Sequence, residues 1–195
     1  QVDLVFADMQ TPRGPVTRDY LLQAPSVSPS NHKSADCLLS YHTMLELKGY
    51  IKSLDPETAL QVFSRTCQVI KCFARLKGIY NFKMGYLNGI SIQIMTAHVL
   101  AQLYHKCTDV LSVEELTQQA VINFFRNFAE WDWKSPYVQC RVVYLPTTDS
   151  QEFENALQQA VQHQLPVMSP YPPYKCVSCP TMTTSACNKI IYEFK

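Results

Sequence analysis

Over the first seven residues Val2, Leu4 and Phe6 alternate with Asp3, Val5 and Ala7. This is the period of a strand that carries Asp3 on the face opposite the larger apolar residues. Thr11 to Ser34 is rich in Pro, Ser and Asn and reads as a long loop. A helix is predicted from about Ala35 to Lys48, with Leu38, Tyr41, Met44 and Leu45 turned inward and Gly49 closing it. Asp55-Pro56-Glu57 opens a second helix: the aspartate can cap free amides, proline fits a first turn, and the glutamate suits the positive end of the dipole. Leu60, Phe63, Cys67, Ile70 and Ala74 keep helical spacing up to Gly78, and Ser64, Gln68, Lys71 and Arg75 form a polar stripe on another face. Such a stripe is usually just the solvated side.

Gly89 to Lys106 is apolar almost all round, which predicts the central buried helix of a bundle with His98 as a satisfied core histidine. Ser112-x-x-Glu115 matches a capping box and opens a helix through Leu116, Val121, Phe124 and Phe128. Val138 to Tyr144 is strand-like, Asp149-x-x-Glu152 opens a last helix through Phe153, Leu157 and Val161, and Pro166 to Tyr174 is excluded from helix. These five helices, with few strands and no internal repeat, predict a mainly α fold. Its small β edge is expected from the N-terminal strand and the strand near 138–144.

At 195 residues, 47% apolar and 17% charged, the chain can bury a full core and is no disordered or collagen-like polymer. No apolar run reaches the roughly 18 residues a bilayer requires, so a soluble protein with no membrane partner is expected. The first residues lack the basic start of a signal peptide. The 8 cysteines are scattered, several within helical apolar patterns, as reduced thiols would be. Only Cys176-x-x-Cys179 with Cys187 has metal-like spacing, and with no fourth ligand at a regular offset zinc is the disfavoured reading. No cysteine has a histidine at a local spacing that suggests a hydrolytic pair.

The formal net charge is only +1, but its distribution is uneven. From Thr58 to Thr108 there is no Asp or Glu, against Arg65, Lys71, Arg75, Lys77, Lys83 and Lys106, while Asp109 to Asn155 is predominantly acidic. One face should attract phosphates. Lys71 and Arg75 lie four apart on one helix, Tyr80 follows the helix end, and Gly89 opens the next helix where main chain can approach a ligand. Singly these are ordinary: a solvated lysine, a packing tyrosine, a turn glycine.

Their order and spacing resemble the central domain of eukaryotic poly(A) polymerases. The resemblance rests on Ile70-Lys71-x-x-Ala74-Arg75, Gly78-Ile79-Tyr80 and Gly85-Tyr86-Leu87-x-Gly89-Ile90-Ser91. Trp131-Asp132-Trp133, Leu165 to Pro172 and Glu193-Phe194-Lys195 follow in the family's order, and Val2 to Phe6 resembles its last catalytic strand. The resemblance implies a remnant of the catalytic domain over residues 1–30 and the helical central domain over 31–195. It implies attack of an RNA 3′ hydroxyl on the α-phosphate of ATP, assisted by Mg²⁺ or Mn²⁺ on aspartates, in the nucleus, with mRNA 3′-processing factors as partners. In those terms Asp3 is a catalytic and metal-binding aspartate, Lys71 and Tyr80 contact triphosphate and sugar, Gly89 and Ile90 line the adenine, and Arg75 contacts phosphate or RNA.

The chain also departs from the family pattern. The family's first two aspartates, an Asp-x-Asp pair after a Gly-Ser turn, do not occur in it. One carboxylate cannot assemble a two-metal site, so the chain alone is expected not to polymerise and to be a fragment that begins at the last catalytic strand. Asn88 stands where the family usually has glycine, Ile92 where it has tryptophan, and Lys48 and Phe82 where asparagines are common; these changes bear on base selectivity. Two alternatives stand beside the enzyme: a noncatalytic scaffold for RNA or protein, and a relative that adds uridine or builds other oligonucleotides.

Overall fold

The computed structural model describes residues 32–106, 111–135, 137, 141–145, 151–171 and 174–195. The expected strand over residues 1–7 lies outside them. The described helices are α1 (His32–Leu54), α2 (Ala59–Leu76), α3 (Gly89–Lys106), α4 (Val113–Glu130), α5 (Gln151–Ala160) and α6 (Thr184–Phe194), with a 3-10 turn at Phe82–Met84. Contacts divide the chain into two units, Gln1–Gly49 and Tyr50–Lys195.

In the first unit, α1 begins inside the stretch expected to be loop and continues through Gly49 into the second. A glycine ends a helix by taking a positive φ, which only Gly78 and Gly85 do among the described residues. The inward stripe also differs from expectation: Tyr41 and Leu45 are 61% and 45% exposed, whereas Leu47 is fully buried. The Leu38 side chain lies outside the described set.

In the second unit, α2 starts three residues later than a cap at Asp55 suggests, with Thr58 at the N-cap. The Asp55 carboxylate accepts from the Glu57 amide at 3.0 Å and from the Thr58 hydroxyl, so it caps the turn that leads into the helix. At the other end a Schellman pattern stops α2: Gly78, at φ 65°, donates to the Arg75 carbonyl at 3.1 Å and Ile79 donates to Ala74 at 2.8 Å. The bounds of α3 are those expected, and it buries Ile92, Ile94, Met95, Ala97, Val99, Leu100 and Leu103. The α4 capping box is present in both directions, Glu115 amide to Ser112 Oγ at 3.2 Å and Ser112 amide to Glu115 Oε2 at 2.9 Å.

α2, α3 and α4 pack on one another pairwise, and α6 packs on α4. α6 has no counterpart in the five expected helices. Thr183 caps it by accepting from the Ala186 amide at 3.2 Å, and Ala186, Cys187, Ile190 and Phe194 form its buried face. The core is aromatic where these helices meet: Phe124 lies 4.9 Å from Phe128 and 5.7 Å from Phe194, and Trp133 stacks on Phe128 at 6.0 Å. A second cluster gathers Phe153, Leu157 and Ala160 of α5 with Val142 and Met168.

The β edge consists of isolated bridges among the described residues, Val143 with Val167 and Met168 with Cys176. The strand expected over 138–144 is represented by Val143 alone, residues 138–140 lying outside the description. Pro166 has no N–H, so the ladder cannot grow past Val167 on that side.

His98 is the core histidine expected, and its hydrogen bonds specify its tautomer. A carbonyl only accepts, so Nδ1 carries the proton toward Tyr144 O at 2.9 Å, and Nε2 accepts from the Gln102 amide at 2.9 Å. The Gln102 oxygen in turn accepts from Asn127 at 3.0 Å. Burial lowers the His98 pKa, against a smaller raising effect of the Tyr144 carbonyl. The unfolded chain therefore takes up this proton first, near pH 6.5, so the stability that neutral His98 supports is complete above that pH and declines as pH falls below it. His163, also lowered by burial, acts in the same direction. Thermal melts should show Tm dropping from pH 7.5 to 5.5, less steeply in His98→Asn; equal slopes in the two proteins would contradict this network.

Candidate nucleotide site

Helix α2 carries Lys71 one turn before Arg75, and the Schellman turn then reverses the chain so that Tyr80 runs back beside the start of α3. The backbone at Tyr80 is held by a parallel bridge to Leu87, with the Leu87 amide donating to Ile79 O at 3.1 Å. Gly89 lies where these pieces meet. A Cβ built there would sit 3.3 Å from Tyr80 Oη and 3.8 Å from Lys71 Nζ. Gly89 has no positive φ, so a glycine at this position is explained by space, not by backbone conformation. The structure thus brings Lys71, Tyr80 and Gly89 to one point.

The Arg75 guanidinium lies over the Tyr80 ring, 5.2 Å from its centroid. Gln68, Lys71 and Arg75 of the polar stripe, with Cys72 and Leu76, line an open groove of about 410 Å³ along α2. Ser64 is exposed and does not line it. Ile90 is half-buried and packs against the core cluster, as does Tyr80. Neither Lys71 nor Arg75 forms an ion pair among the described residues, whereas Arg65 is paired with Glu114 and Lys77 with Glu193. Lys71 and Arg75 thus have no carboxylate partner among the described residues, and Arg75 is engaged with the Tyr80 ring.

Asp3 lies outside the described residues. Those around Gly89 supply an ammonium, a phenol and a guanidinium, and no carboxylate occurs between Thr58 and Thr108. A hard divalent ion needs carboxylate oxygen, so the described residues of this site do not fit Mg²⁺ as ligands. The three cysteines with metal-like spacing have separate engagements: Cys179 Sγ donates to Phe82 O at 3.2 Å, Cys187 Sγ to Gln164 O at 3.4 Å, and Cys176 Sγ meets Ser178 Oγ at 2.9 Å. Burial pushes the Cys67 thiol up to about 11 and raises Cys187, which keeps both neutral near pH 7.

Sequence reasoning missed how the 176–182 segment supports the site. Asn88 Nδ2 donates to Val177 O at 2.7 Å while its Oδ1 accepts from the Ser91 amide at 2.8 Å, so one side chain caps α3 and ties it to that segment. The Asn88 cap was readable from Asn-Gly at a helix start; the tie across 89 residues was not.

A family model described as poly(A) polymerase central domain matches residues 62–195, which contain Lys71, Arg75, Tyr80, Gly89 and Ile90. The chain is 35% identical over 77 residues to a poly(A) polymerase of Entamoeba histolytica, covering 40% of this chain and 12% of that one. It is 25% identical over 146 residues to nuclear poly(A) polymerase 4 of Arabidopsis thaliana, covering 72% and 17% respectively. Poly(A) polymerase pla1 of Schizosaccharomyces pombe is 25% identical over 177 residues, covering 91% of this chain and 28% of its own length. The chain therefore spans well under a third of each of these relatives.

Proposed function

Since the chain belongs to the poly(A) polymerase central domain family, we propose that it holds ATP for template-independent AMP transfer to an RNA 3′ hydroxyl. The observation that carries the reading is the convergence of Lys71 Nζ and Tyr80 Oη on Gly89. An ammonium and a phenol at one spot can neutralise and hydrogen-bond a phosphate oxygen, and a helix start without a side chain lets main-chain amides come close to the same group. In the reaction, a bond forms between the RNA O3′ and the α-phosphorus as the bond to pyrophosphate breaks, pyrophosphate leaves and the hydroxyl proton passes to solvent water. Lys71 and Tyr80 act by holding the triphosphate in line, and Gly89 with Ile90 by leaving room for the nucleoside. Asp3 is the one carboxylate this reading offers to Mg²⁺ or Mn²⁺. A nuclear setting, an RNA 3′ end and 3′-processing factors as partners belong to the same proposal.

The test is an NMR titration of the 195-residue chain with ATP in the presence of Mg²⁺. Binding is expected in the millimolar range, as a contact set of this size without a complete metal site supports roughly 4 kcal/mol. Lys71→Ala should weaken it by about tenfold or more, since a hydrogen bond to a charged group contributes about 1.5–3 kcal/mol. Shifts at Gly89 and Ile90 that saturate identically in wild type and Lys71→Ala would reject the assignment.

A further inference from the structure

Arg75 resembles a second phosphate ligand in sequence, one turn from Lys71, yet its guanidinium lies over a tyrosine ring. The main chain at Arg75 is part of the Schellman turn, its carbonyl accepting from Gly78 at 3.1 Å, so the root of the side chain is fixed. The backbone at Tyr80 is fixed as well, by the Leu87 bridge. The Tyr80 ring packs in part against the core cluster, and what is left to set is its orientation about two side-chain bonds. Arg75 covers the ring at 5.2 Å from its centroid, and the hydroxyl end lies beside Gly89 and Lys71 Nζ. Rotating the ring away from Gly89 would give up the guanidinium contact, because the quadrupole attracts a cation only over the ring.

We propose that Arg75 is a positioning residue for Tyr80, holding the phenol at the Gly89 corner where it meets the phosphate chain; this rests on the ATP reading above. Its contribution to ATP binding passes through Tyr80, and a direct phosphate or RNA contact is the competing role. A positioning role has a signature that a phosphate ligand lacks. Removing Arg75 should matter only while Tyr80 is present to be positioned.

The test compares Mg²⁺-ATP affinities of wild type, Lys71→Ala, Arg75→Ala, Arg75→Lys, Tyr80→Leu and the Arg75→Ala/Tyr80→Leu double variant of the whole chain, with the Arg75 Hε resonance followed in wild type, Lys71→Ala and Tyr80→Leu. Arg75→Ala should weaken ATP about two- to fivefold, the range open to an exposed cation–π contact. Arg75→Lys should recover most of this, since an ammonium can also sit over the ring. In the Tyr80→Leu background Arg75→Ala should change the affinity by less than about 1.5-fold. The Arg75 Hε resonance should be shifted upfield by the ring current in wild type and return to its ordinary position in Tyr80→Leu. Equal losses from Arg75→Ala in both backgrounds would overturn the positioning role while Lys71 dependence left the ATP reading intact. ATP affinity indifferent to Lys71 and Tyr80 would overturn that reading, and the positioning role with it.

Discussion

Phe128→Ala is expected to cost about 3–5 kcal/mol of unfolding free energy, the range for a large aromatic removed from a closed core. Phe128 is fully buried, lies 4.9 Å from Phe124 and 5.6 Å from Trp131, and stacks on Trp133 at 6.0 Å. Its carbonyl also accepts the Trp133 indole N–H at 3.2 Å. Trp131 leaves the end of α4 in an extended conformation, and the rings of both tryptophans pack on Phe128, so the truncation removes contacts from several neighbours at once. Against a typical total of about 5–15 kcal/mol, the loss should be plain in a urea melt. Phe128→Leu should cost clearly less, because it keeps most of the volume. A loss below about 1 kcal/mol for Phe128→Ala would refute the packing described for α4.

Gly85→Val should be the most damaging substitution among the described glycines, by about 2–3 kcal/mol. Gly85 has φ 78°, where a β-branched residue is strained, and a Cβ there would come within 3.3 Å of Thr181 O and 3.5 Å of Met182 Cα. Both neighbours are main chain and cannot swing aside. Gly78 is the internal control: its φ is 65°, but the nearest atom to an added Cβ is Lys189 Nζ at 3.9 Å, the mobile end of a long side chain. Gly78→Ala should therefore lose only the conformational preference, about 1 kcal/mol. Equal losses for the two changes, by denaturant titration, would show that the 176–182 segment does not press on the Gly85 turn.

Helix α3 and the capping box of α4 were legible because their causes are local: a buried stretch between two polar turns, and a serine three residues before a glutamate. Helix α6 escaped notice although Thr183 caps it and its apolar residues keep helical spacing. Its apolar stripe is short, and Cys187 within it also stands at a metal-like spacing from Cys176 and Cys179. Gly49 misled in the opposite way, since a glycine is a stop only where φ turns positive.

For the site, residue types and their order along Lys71, Arg75, Tyr80 and Gly89 were enough to nominate a place for phosphates, because helical spacing and glycine's lack of a side chain act over a few residues. Which of the cations reaches the corner and which covers the tyrosine depended on how α2 and α3 lie against each other. So did the anchoring of Asn88 to Val177 and of Cys179 to Phe82. Capping, periodicity and turn chemistry are short-range forces written residue by residue. A contact between groups 89 or 97 positions apart exists only after the core has closed and brought their backbones within hydrogen-bonding distance.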